Sequence, residues 1–189
     1  MKKVYVLVVP IILIGFFLLM CFLPIMEQRV EGIENYSPAA SSLGLTANLF
    51  PGEDFLERFD YSAGDYHFYF DGSLYHGFST AISVLQYTPE QYAQAKEYCL
   101  NQFTPTDEHQ YQVGGYSFVE HLCYTGENES GKYVPVCQFP TRFNMFAYND
   151  AECTLLFLGY FNWKATEQPL VNFEAFYSEY FSQYHMLGE

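Results

Sequence analysis

Five histidines, His67, His76, His109, His121 and His185, are the side chains of this chain best suited to proton transfer near neutral pH. None pairs with another at the His-x-x-x-His spacing by which a helix presents two metal ligands. His121 and Cys123 stand two residues apart, so on one strand they share a face. A thiol and its base need that geometry, and a strand with one polar position produces it as well. His67 and Tyr69 fall on the opposite side of a strand from Phe68 and Phe70 and read as a solvent face. A serine nucleophile on a Gly-x-Ser-x-Gly turn is missing, as are a Gly-x-Gly-x-x-Gly loop and a P-loop. Asp60, Asp65 and Asp71 do not follow the spacing of a calcium loop. Among 22 acidic residues no pair stands out for glycoside hydrolysis. The motifs therefore point to no catalytic group, no metal and no cofactor.

Cys21 lies in an apolar stretch, which leaves Cys99, Cys123, Cys137 and Cys153. An even number outside the cytoplasm suggests two disulfides. Cys123 and Cys137 sit symmetrically about Ser130, at the tip of an expected hairpin, and pair most naturally with each other. Cys99–Cys153 would then tie a helix to a central strand. Four buried thiols acting as small hydrophobes are the alternative.

Val4 to Ile25 contains no charged residue. As a helix rising about 1.5 Å per residue it is about 33 Å long, enough for a bilayer core of about 30 Å. Lys2 and Lys3 precede it, and Glu27 and Arg29 follow and nearly cancel, so the positive-inside bias keeps residues 1–3 in the cytoplasm and puts the rest outside. A cleaved signal peptide has a shorter core and a small-x-small site, and here no alanine occurs before Ala39. A lipoprotein would lipidate Cys21, but Met20 stands where a small residue belongs. The expectation is an uncleaved signal anchor over 4–25, a flexible linker over 26–48, and an extracytoplasmic domain over 49–189.

The chain has 8 basic and 22 acidic residues, net −14, and beyond Arg29 the balance is 5 against 21, net −16. That sign excludes an ordinary nucleic-acid binder. The 19 Phe and 18 Tyr exclude a disordered chain. Tyr66, Phe68 and Phe70 alternate with polar residues, as in a half-buried strand, and Ala81 to Tyr87 reads as another. Thr88-Pro89-x-Gln91 is a capping box, with Tyr92, Ala95, Cys99 and Phe103 on one face of the helix it starts. A four-strand meander from Tyr116 to Asn162 follows, its central strand the nearly continuous apolar run Cys153 to Phe161. A last helix starts near Thr166 and carries Leu170, Phe173, Tyr177, Tyr180 and Tyr184 along one stripe. The fold class is α+β, a mainly antiparallel sheet with both main helices on one face.

Aromatic residues with polar tips favour interfaces and sugar rings. Trp163, Tyr69, His67 and His121 are the candidate binding-surface residues. The expected function is a non-enzymatic, membrane-anchored domain of the cell envelope that binds a protein or glycan partner. A small extracytoplasmic hydrolase acting on envelope material is the alternative.

Overall fold

The computed structural model describes residues 12–17, 27–37, 49–52, 54–71, 78–102, 105–121, 125–127, 133–135, 142–162 and 173–184. Strands β1 (Glu27–Glu31), β2 (Ala63–Asp71), β3 (Phe78–Gln86), β4 (Pro105–Val113), β5 (Tyr116–His121), β8 (Arg142–Asn149) and β9 (Thr154–Asn162) form one seven-stranded sheet in the order β1-β2-β3-β9-β8-β5-β4. Every neighbouring pair in it is antiparallel. Strands β6 (Thr125–Glu127) and β7 (Tyr133–Pro135) make a separate two-stranded ribbon between β5 and β8. Helices α1 (Phe55–Arg58), α2 (Pro89–Gln102) and α3 (Phe173–Tyr180) pack on this sheet, and short 3-10 turns lie at Ile33–Asn35 and Ser182–Tyr184. This is the expected α+β class with β9 at the sheet's centre.

The helices differ from expectation in one respect: they cover opposite faces. On one face Phe68, Phe70, Leu85, Phe146, Leu155 and Phe157 join Phe55 of α1 and Tyr92, Ala95 and Cys99 of α2. On the other, Ile82, Val84, Phe118, Met145, Leu156 and Leu158 join Phe173, Tyr177 and Phe181 in and just after α3. The cause lies in β9. Consecutive side chains of a strand point to opposite faces, so a continuous apolar run needs a cover on each side. Leu155 to Leu158 are all fully buried.

Local chemistry explains the elements. The Gln91 N–H donates to Thr88 Oγ1 at 3.4 Å and the Tyr92 N–H to the Thr88 carbonyl at 2.8 Å, so the capping residue starts α2 where the sequence places it. Gly114 and Gly115, at φ of 57° and 81°, turn β4 into β5, a left-handed pair that only glycine adopts without strain. In the β8–β9 turn Asn149 Oδ1 accepts from the Ala151 and Glu152 N–H groups at 3.0 and 3.3 Å.

Two strands lie where none is expected. β1 falls inside the presumed linker and pairs along its whole length with β2, Glu27 opposite Asp71 and Glu31 opposite His67. Tyr36, just beyond it, meets Phe50 and Tyr66 edge-on at 4.8 and 5.2 Å. The stretch before the sheet is therefore far shorter than the sequence suggests. β4, on the opposite edge, is polar from Thr106 to Gln110, and its register against β5 shifts between Pro105 and Gln110. Of the apolar stretch at the start, the structure describes residues 12–17, which are helical and exposed. Among the described residues no helix is long and apolar enough to cross a membrane.

Candidate functional site

β2 turns Tyr66, Phe68 and Phe70 into the core and so delivers Asp65, His67 and Tyr69 to the face that α3 covers farther along the sheet. His67 Nε2 lies 2.8 Å from Asp65 Oδ2, with about a quarter of the His67 side chain and a third of the Asp65 side chain exposed. Asp65 is itself fixed: its Oδ1 accepts from the Tyr66 N–H and its carbonyl accepts from Ser83 Oγ, both at 2.8 Å. β1 adds Arg29, whose guanidinium carbon stands 5.2 Å from the centre of the Tyr69 ring. Glu31 lies across from His67 on the other strand, and Thr80 of β3 lies across from Tyr69.

These residues make a half-exposed cluster of two acids, an arginine, an imidazole and a tyrosine. A carboxylate beside an imidazole orients the ring and favours one tautomer, as a general base requires. A concave region of about 220 Å³ lies elsewhere, at the β4–β5 turn between Gln112 and Ser117, and His67 does not line it.

A second polar cluster pins α2 to the β8–β9 turn. Asp150 Oδ1 accepts from Lys96 Nζ at 2.6 Å and from the Tyr92 hydroxyl at 2.5 Å. Lys96 Nζ also stands 3.8 Å above the Tyr148 ring. The hydrogen bonds from Lys96 and then Tyr92 hold the Asp150 carboxyl below the usual carboxylate range. Burial, and then the bond to Asp150, push the Tyr92 hydroxyl far up. All four groups are occupied with one another, so this cluster reads as a clamp rather than a site.

Of the residues singled out from the sequence, His67 and Tyr69 share the patch. His121 closes β5, four strands away from β2, so the sheet does not bring it to His67. Cys123, Cys137, Trp163, His76 and His185 lie outside the described residues. Cys99 and Cys153 are free thiols, and the bridge expected between them is not formed. Cys153 belongs to the turn that meets Tyr92, where its carbonyl accepts from the Tyr87 N–H at 3.0 Å. Cys99 is seven residues farther along α2 than Tyr92, about 10 Å up the helix axis. A disulfide needs Cα atoms within about 7 Å.

Arg29, Glu31 and Asp65 were missed as partners of the patch. The i, i+2 spacing of Asp65 and His67 on a strand was the available signal for one of them. Arg29 and Glu31 gave none, because five residues with a single valine carry no period. Among the described residues no group of three or more His, Cys, Asp and Glu side chains is placed to hold a metal ion. Compared with protein-family models, with curated proteins and with solved structures, the chain matches none.

Proposed function

We propose that this chain is a membrane-anchored, extracytoplasmic interaction domain of the cell envelope that acts by binding rather than catalysis. The anchor is the uncharged segment 4–25, of which residues 12–17 are helical with Ile12, Leu13, Ile14, Phe16 and Phe17 all about 60% or more exposed. Exposed apolar side chains on every side of a helix suit lipid better than water. The N-terminus stays in the cytoplasm and the acidic domain stands outside the plasma membrane. The observation that carries the binding role is the half-exposed cluster in which Arg29 of β1 meets Tyr69 of β2 and His67 meets Asp65, on one face of the two strands. Its partner is a protein or glycan of the envelope.

A second reading rests on the 2.8 Å contact of Asp65 with His67, which would suit a small hydrolase. One experiment separates the two. A photo-crosslinking residue is placed at Tyr69 and, as a control, at Gln94 on the exposed side of α2, in otherwise intact protein in its native membrane. The binding reading expects a discrete adduct from position 69 alone, lost in Arg29→Glu. Equal labelling from both positions overturns it. Release of soluble fragments from envelope material by the wild type but not by His67→Ala would establish the hydrolase instead.

A further inference from the structure

The first residue of β1, Glu27, follows the last residue of the uncharged segment, Ile25, with Met26 alone between them. At about 3.6 Å per residue, the two steps from Ile25 to Glu27 span at most about 7 Å. The headgroup layer outside the hydrocarbon is about 5 to 7 Å deep on each side. With the segment in the bilayer, Glu27 reaches no farther than about the outer edge of that layer, and no tether separates the sheet from the lipid.

The register carries this constraint inward. Glu27 pairs with Asp71, Asp71 with Phe78, and Phe78 with Asn162. These four residues form one row across β1, β2, β3 and β9, and Arg142 of β8, opposite Phe161, stands in the next row. Three strand spacings make that row about 14 Å wide. The opposite end of the same strands carries the β8–β9 turn with Asp150 and Glu152, about 30 Å away along nine residues of β9.

We infer that the sheet end defined by Glu27, Asp71, Phe78 and Asn162 rests in the lipid headgroup layer, with the strands steep to the membrane and the β8–β9 turn pointing away. The inference rests on the proposed anchor and adds an orientation and a lipid-facing surface to it. It leaves the Arg29–Tyr69 end of the patch just above the lipid and Asp65 farther out. A partner of the patch must then approach along the membrane surface.

Trp163 follows Asn162 directly and is the only tryptophan of the chain, so its fluorescence reports this sheet end without any substitution. The full-length protein is reconstituted into phosphatidylcholine vesicles that contain a nitroxide lipid labelled at the headgroup or near the acyl-chain end. Flotation of the vesicles measures anchoring separately. Tryptophan favours the membrane–water interface. The expected result is co-flotation, strong loss of Trp163 emission with the headgroup label and weak loss with the deep label. The Trp163→Phe/Glu152→Trp protein, which reports the far end, should float equally and lose no emission. Co-flotation without quenching of Trp163 overturns the orientation and leaves the anchor standing, as does quenching of both positions, which means a sheet lying flat. Failure to float overturns the anchor and the inference with it.

Discussion

Lys96 holds Asp150 at 2.6 Å while its ammonium covers the Tyr148 ring at 3.8 Å, so one side chain joins helix α2 to both the β8–β9 turn and the strand leading into it. Asp150 is about two-thirds exposed and the ion pair is screened by water, so its worth is that of a surface pair. Asp150→Asn should lower unfolding stability by about 0.5 to 1 kcal/mol at pH 7. The carboxyl is depressed below its unfolded value of about 3.9. Its stabilisation is therefore complete above that value and disappears as pH falls through the folded one. Urea titrations should show wild type and Asp150→Asn converging below about pH 4. A constant difference across that window would mean that the clamp acts through packing alone.

Two tyrosines near α2 should respond oppositely to loss of their hydroxyl. Tyr92 donates to a carboxylate, so Tyr92→Phe should cost about 1 to 2 kcal/mol. The Tyr87 hydroxyl is buried with no hydrogen-bond partner among the described residues. A buried donor without a partner carries a desolvation penalty and no return. Tyr87→Phe should leave stability within about 0.5 kcal/mol of wild type or raise it. Paired denaturation curves read both.

The thiols should also divide. Burial pushes the Cys99 thiol far above the ordinary range, so it holds no thiolate at neutral pH. Cys153 is half-buried in a turn, with φ of 53°. Native alkylation should modify Cys153 first and Cys99 only on unfolding. Replacing Cys153 by glycine should relieve about 1 kcal/mol of left-handed strain, set against the contact it loses with the core. Cys123 and Cys137 stand seven residues on either side of Ser130 in the sequence. Those two cysteines are outside the described residues, and the proposal is a single disulfide between them. Intact mass should rise on reduction by two hydrogen atoms, about 2 Da, and peptide mapping should place the bond there.

The sequence made the central elements legible because their signals were strong. Thr88 to Gln91 announced a helix start, and Tyr66 to Phe70 and Leu155 to Phe161 announced strands. The two edges of the sheet were illegible for a physical reason. An edge strand needs few apolar residues and is often polar by selection against aggregation, so β1 and β4 offered no period to read. The helix placement was readable in principle. A run with four consecutive buried residues, Leu155 to Leu158, demands cover on both sides, and only one cover was inferred from it. Of the patch, His67 and Tyr69 were visible from alternation, whereas Arg29 depended on a long-range strand pairing.

The two cores should fail separately when cut. Phe157 meets the rings of Phe50, Phe55 and Phe146 at 4.9 to 5.8 Å, and Phe118 meets those of Phe173 and Tyr177 at 5.1 Å. Each replacement by alanine should cost about 3 to 5 kcal/mol. Phe118→Ala should raise hydrogen exchange mainly in α3, and Phe157→Ala mainly in α1 and α2. Uniform acceleration in both would mean that the sheet transmits the loss across its thickness.

The position of β9 between β3 and β8 bears on how the chain is made. β3 acquires its second neighbour only when residues near the far end of the chain arrive, since Gln86 pairs with Thr154 and Phe78 with Asn162. Until then its free edge is an apolar template for any other unfinished copy. The pairing that closes the sheet is among the most distant in sequence and is slow to form on that account. A growing chain held apart from its neighbours until β9 emerges would escape that hazard, whereas chains crowded together before that moment would be joined strand to strand.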